Sequence, residues 1–151
     1  MLGRNMIFTI GLTLLLVNMV VAEDIIQPIH QEMLEKNNVL RATRGLPPHE
    51  LDKNLIQAAQ DHAEFMARTG SRSHYSNGGP GVRVRRFNWK GGGCLENIAW
   101  SQNGVASVFQ TWRNSGGHWG NMTSRTNKAG FGYAISANGT KCWVAVYGTE
   151  K

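Results

Sequence analysis

Among the side chains of this sequence able to hold a metal or move a proton, His74, Glu96 and His118 stand out as candidates for one site. Two imidazoles and a carboxylate are compatible with a zinc site that leaves a fourth position for water. The spacings are wide, however, and no HExxH pair sets two ligands on one helix face. A serine nucleophile has less support: Ser71, Ser73, Ser76 and Ser115 lie near the histidines, but there is no GxSxG elbow. For His74, Glu96 and His118 to act together, three separate stretches must converge on one cleft.

The surrounding elements are legible from periodicity. Val105, Val108, Phe109 and Trp112 fall on one face and predict a short helix. The paired glycines of Asn114-Ser115-Gly116-Gly117 predict that it stops there, so that His118 is presented where the backbone turns. Upstream, Ile26, Ile29, Met33, Asn37 and Leu40 predict a first helix ending near Arg44-Gly45, where Gly45-Leu46-Pro47-Pro48 breaks it. A second helix spans about 51–68, with Leu51, Leu55, Ala58, Ala59, His62, Ala63 and Met66 on one face. On that face His62 reads as a packed, hydrogen-bonded core or cleft-wall histidine rather than a ligand. The stretch 77–93, NGGPGVRVRRFNWKGGG, predicts an exposed loop with at most a short strand or helical turn. Its cations Arg83, Arg85, Arg86 and Lys90 read as a solvated face, with an anionic glycan or cell-wall contact as the second reading.

Near the C-terminus, Ala129–Ile135 and Lys141–Tyr147 predict two strands joined by an Asn138-Gly139 turn. Cys142, Val144 and Val146 would share one face, Trp143, Ala145 and Tyr147 the other. Helices followed by an antiparallel hairpin give an α+β fold, read as an α-β-α sandwich.

Residues 1–22 carry one charge, Arg4, ahead of a long apolar run that ends in small residues at Val20 and Ala22. This is the pattern of a secretory signal cleaved after Ala22. An uncleaved anchor is the rival, since a spanning helix needs ~17–25 residues. Polar Thr9, Thr13 and Asn18 and the small-residue ending favour cleavage. Residues 23–151 then form a single secreted, extracellular domain that is not integral to a membrane. The formal charge of +6 becomes +5 without Arg4. Such a protein can meet anionic polymers, glycans or lipid head groups; nucleic acid is not the expected target. In an oxidising compartment the two cysteines, Cys94 and Cys142, are expected to form one disulfide. It would close a loop of roughly fifty residues and contribute ~4 kcal/mol in the chain-entropy picture.

The motifs are specific in combination. In order they are Asn38-Val39-Leu40-Arg41-Ala42, Gly45-Leu46-Pro47-Pro48, His74-Tyr75-Ser76 and Glu96-Asn97-Ile98-Ala99. WRNSGGHWGNM (Trp112 to Met122), Gly130-Phe131-Gly132-Tyr133 and Cys142-Trp143 follow. This series resembles the CAP superfamily, also called the SCP or TAPS domain, over about residues 27–148. The resemblance implies a three-layer sandwich with a small antiparallel sheet and a large central cleft holding two histidines and two acidic residues. His74, Glu96 and His118 match three of them; the place of the second acid is taken by Ser115. The form is that of short bacterial-type domains, without the extra cysteine pairs of venom proteins.

The resemblance also implies that His74 and His118 can bind zinc or another divalent cation. Glu96 would be a ligand, an orienter of a histidine or a general base, or all three residues would form a buried network that pins the loops. Asn121 and Met122 are expected to be structural, one tying the chain after His118 and the other filling the core. Relatives bind sterols and lipids, act in immunity and defence, or are reported as hydrolases. The expected function is therefore a binding or defence module for a lipid, sterol, glycan or cell-surface ligand. The alternative is metal-assisted hydrolysis of peptide or cell-wall substrates, with Glu96 catalytic.

Overall fold

A computed structural model of the chain describes residues 25–150. The expected signal peptide, residues 1–22, lies outside the described residues. Helix α1 (Pro28–Ala42) starts at a proline, whose fixed φ suits the first helical turn, and His30 Nδ1 accepts from the Gln27 N–H at 3.0 Å in a reciprocal cap. Strand β1 (Glu50–Leu51) leads into α2 (Lys53–Thr69). The Asp52 carboxylate caps α2 by accepting from the N–H groups of Asn54 and Leu55, and Gly70 at φ 73° ends it. The order continues with α3 (Pro80–Arg86), β2 (Gly92–Trp100), α4 (Val105–Arg113), α5 (Gly116–Met122), β3 (Lys128–Ile135) and β4 (Lys141–Thr149).

The strands form one mixed sheet in the order β1-β3-β4-β2. The β3–β4 hairpin turns at Asn138-Gly139 as the sequence predicts, with Gly139 at φ 82°. Two strands lie beyond the predicted hairpin: β2 runs antiparallel to β4, and the two-residue β1 runs parallel to β3. The sheet is thus antiparallel except at β1. Asn97, Ile98 and Ala99 of β2 are buried in succession, so the strand lacks the polar alternation that would mark it in sequence.

Two cores sandwich the sheet, which makes the fold the expected α+β, α-β-α arrangement. On one face α1, α4 and α5 pack Met33, Phe109, Trp112 and Met122 against Phe131, Trp143, Ala145 and Tyr147. On the other, α2 and α3 pack Leu55, Ala59, Ala63 and Val84 against Ile98, Cys142, Val144 and Val146. The predicted division of β4 into its two faces is therefore found. Contact between α2 and β3 is close enough to require glycine. A Cβ on Gly130 would fall 2.0 Å from the Leu55 carbonyl carbon, and one on Gly132 would fall 2.3 Å from the Ala59 oxygen.

Three expectations need correction. The stretch 77–93 is not mainly an exposed loop. Pro80 opens α3, and Arg83 and Trp89 are buried because a guanidinium can reach several backbone acceptors while the indole packs in the core. The glycines at 116 and 117 begin α5 rather than a turn, so His118 sits on a helix. Burial of Met122 and the hydrogen bonds of Asn121 to β2 outweigh the weak helix propensity of glycine. The disulfide between Cys94 and Cys142 is not formed: both thiols are free. Cys142 pairs in register with Trp100, six positions along β2 from Cys94. At ~3.3 Å per residue the two lie ~20 Å apart, far beyond bonding distance.

Candidate functional site

β2 lies at the edge of the sheet, and the site is built along it. Glu96 points into the interface with α3, its side chain only 1% exposed. There both carboxylate oxygens are engaged. His74 Nδ1 stands 2.9 Å from Oε1, and Arg83 Nη2 donates to Oε2 at 2.5 Å. Facing a carboxylate that is held by a guanidinium, Nδ1 of His74 is the donor of this hydrogen bond.

Arg83 also shapes the backbone that carries His74. Its guanidinium donates to the carbonyls of His74 and Ser76, the latter at 2.7 Å. Ser76 Oγ closes the turn on the Ser73 carbonyl at 2.8 Å. One buried cation thus fixes the loop, the carboxylate and, through the carboxylate, the imidazole.

From α5, His118 reaches the same cavity as His74. Asn97 Nδ2 donates to the His118 carbonyl at 3.0 Å, and Asn121 Nδ2 donates to the Glu96 carbonyl at 3.1 Å and to Asn97 Oδ1 at 2.9 Å. Asn121 therefore ties α5 to β2, and Met122 is fully buried, both in the structural roles expected. Trp112 Nε1 donates to the Ile98 carbonyl at 3.1 Å, so side chains of α4 and α5 serve two successive outward carbonyls of the edge strand. His118 Nδ1 is buried without a protein partner. Burial, and next the charge of His74, hold the His118 pKa below its ordinary value.

His74 and His118 line a single cavity of about 390 Å³, together with Arg72, Ile98, Trp100 and Gln102. The structure thus joins His74, Glu96 and His118 in one neighbourhood, with Glu96 behind His74 rather than at the cavity wall. Ser115, at the start of α5, makes no side-chain cap bond and is not part of the lining. His62 is fully buried, as read from its helix face, yet neither ring nitrogen has a protein partner, contrary to the expected hydrogen bond. It stacks on Phe65 with ring centroids 6.2 Å apart, and burial lowers its pKa.

Arg83 is the residue that sequence reasoning missed. Within Arg83-Val84-Arg85-Arg86 no feature of composition separates the buried cation from its exposed neighbours. The one available signal was Pro80 as a helix start, which puts Arg83 and Phe87 on one face.

Among the described residues no three His, Cys, Asp or Glu side chains gather as a metal cluster. The donors that fit a divalent cation are two imidazoles: His74, oriented from behind by Glu96, and His118, with an unpartnered buried nitrogen. A carboxylate committed to Arg83 fits the orienting role better than that of a ligand.

Comparison with known proteins agrees with this architecture. A family model described as the cysteine-rich secretory protein family matches residues 34–147. The human Golgi-associated plant pathogenesis-related protein 1 is 29% identical over 140 residues, covering 78% of this chain and 80% of its own. An outer surface protein of Borrelia burgdorferi superposes with a TM-score of 0.74 at 20% identity, over 80% of this chain and 92% of its own. An extracellular SCP-domain protein of Bacillus anthracis superposes with a TM-score of 0.71 at 24% identity, over 80% of this chain and 40% of that longer one. At such identities the superpositions speak for the fold alone. With the family model spanning most of its length, the chain belongs to the CAP (cysteine-rich secretory protein) family.

Proposed function

We propose that the protein is an exported CAP-family binding module whose cleft captures a small ligand, with His74 and His118 able to share a divalent cation such as zinc. The observation that carries this reading is the state of Glu96. Both its oxygens are taken, by His74 and by Arg83, and the side chain is closed off from the cavity. With serine at position 115, the lining of the cleft offers no carboxylate free to accept a proton from an attacking water. A cation bound there would supply Lewis-acid polarisation of a ligand oxygen. What the chain contributes is two imidazoles, one of them fixed in orientation. Export rests on the N-terminal sequence and on the family, which includes extracellular and outer-surface proteins.

The test pairs a zinc titration with a turnover assay on peptide and cell-wall substrates. The wild type should take up one equivalent of zinc, and His74→Ala and His118→Ala should each abolish uptake. Glu96→Gln should weaken it ~10–100-fold, since it acts through His74. No hydrolysis is expected with zinc bound. Zinc-dependent turnover that disappears in Glu96→Gln would overturn the binding reading in favour of the hydrolase. That second reading draws on the His74–Glu96 pair, which has the geometry of an oriented general base.

A further inference from the structure

The acidic residues of this chain are distributed unevenly. From Phe65 to Thr149 there are ten Lys and Arg residues and one acid, Glu96. Every residue lining the His74–His118 cavity comes from this segment. Its single carboxylate is buried and already paired with Arg83, so it does not offset charge in the cavity.

Arg72 is the cation at the cavity wall. Among the described residues it forms no ion pair, and its guanidinium lies over the Trp100 ring at 4.9 Å from the centroid. Stacking holds the planar group against the wall while leaving its N–H edge free to donate. Two further polar atoms of lining residues, His118 Nδ1 and Gln102 Oε1, are buried without protein partners. Ile98, Ala99 and the Trp100 ring supply an apolar floor. A volume of about 390 Å³ is within the range of small-molecule pockets.

We propose that the cleft selects an organic anion: a carboxylate-type head group held by Arg72, with an apolar or aromatic body lying along Ile98 and Trp100. This rests on the reading of the cleft as a ligand-binding site and adds the sign and shape of the ligand. A field set by unpaired cations and no free acid favours an anion over a neutral or cationic analogue of the same shape.

The test uses three probes that share one ring system: 2-naphthoate, neutral 2-naphthamide and cationic 2-naphthylmethylamine. Binding is followed calorimetrically and by the chemical shift of the Trp100 indole N–H, with and without a chelator. Naphthoate should bind at least about tenfold more tightly than naphthamide, as expected of a charge-assisted hydrogen bond, and should weaken as salt is raised. Arg72→Gln should erase that preference and Arg72→Lys should keep part of it. Arg72 is exposed, so neither change should disturb folding.

A preference that survives Arg72→Gln overturns the proposal, as does naphthamide or naphthylmethylamine binding as tightly as naphthoate. If chelation removes the preference while Arg72→Gln keeps it, the head group was on a metal and the proposal also falls. Failure of all three probes at millimolar concentration overturns it too. Zinc uptake by Arg72→Gln reports separately on the underlying reading of the cleft: retained uptake beside a failed probe series leaves that reading standing.

Discussion

At the scale of single residues, Arg83 and Glu96 are the pair on which the site depends. Each side chain is 1% exposed, and each is the other's charge partner. Replacing Arg83 with Met would leave a buried carboxylate facing only an imidazole. Breaking a buried pair from one side costs ~3–5 kcal/mol, so urea denaturation should show a loss of that order. The double variant Arg83→Met with Glu96→Gln should recover a substantial part, because the unpaired charge is gone. If the two single losses simply add, the residues are not coupled as described. Sequence reading identified Glu96 and both histidines because their types are rare and their local motifs distinctive. It could not rank the cations of 77–93, since the choice among them is made by acceptors that come from His74, Ser76 and Glu96 elsewhere in the chain.

At the scale of elements, the α2–β3 contact is the least forgiving. Gly132→Ala would put a methyl 2.3 Å from the Ala59 oxygen, so helix or strand has to move. Overpacking of this kind typically costs ~1–3 kcal/mol or more. Thermal denaturation of Gly130→Ala and Gly132→Ala should show a lowered midpoint, whereas Gly116→Ala, which meets nothing within 4 Å, should not. Helices α1, α2 and α4, the hairpin and the face assignment of β4 were legible because each carries its own period. β2 and α5 were not. One is buried on both faces, and the other is a glycine-led helix held by Asn97 and Asn121 rather than by its propensity. Asn121-Met122-Thr123 matches the N-x-Thr acceptor pattern for N-glycosylation, but Nδ2 of Asn121, the atom a glycan would need, donates to the Glu96 carbonyl and to Asn97 Oδ1.

At the scale of the whole molecule, two properties follow from how the layers are joined. Stability does not draw on a disulfide, because Cys94 and Cys142 are free and far apart in register. A reductant should leave the thermal midpoint unchanged, and two thiols should titrate after denaturation without reduction. Acid, in contrast, should act strongly. His49 bridges Asn37 of α1 and Thr126, stacks on Tyr147, and has its pKa lowered to about 3 by burial and next by the charge of Arg41. Below its ordinary pKa of 6.5 the unfolded chain takes up the proton and the folded one does not. Stability is therefore retained above pH 6.5 and falls as pH drops towards about 3, by up to ~1.4 kcal/mol per pH unit from this residue. A His49→Gln variant should show a shallower acid limb in denaturation measured across that range.

The carbonyls of Glu96 and Ile98 are held by side chains of α4 and α5, not by another strand. If that helical pair lifts, the nine-residue β2 presents an open row of backbone acceptors beside buried apolar residues. Such an edge is a template for a second copy of the strand. Partial unfolding at this point should therefore lead to sheet-to-sheet self-association and β-rich aggregates, and Trp112 and Asn121 act as guards against polymerisation as well as supports for the cleft.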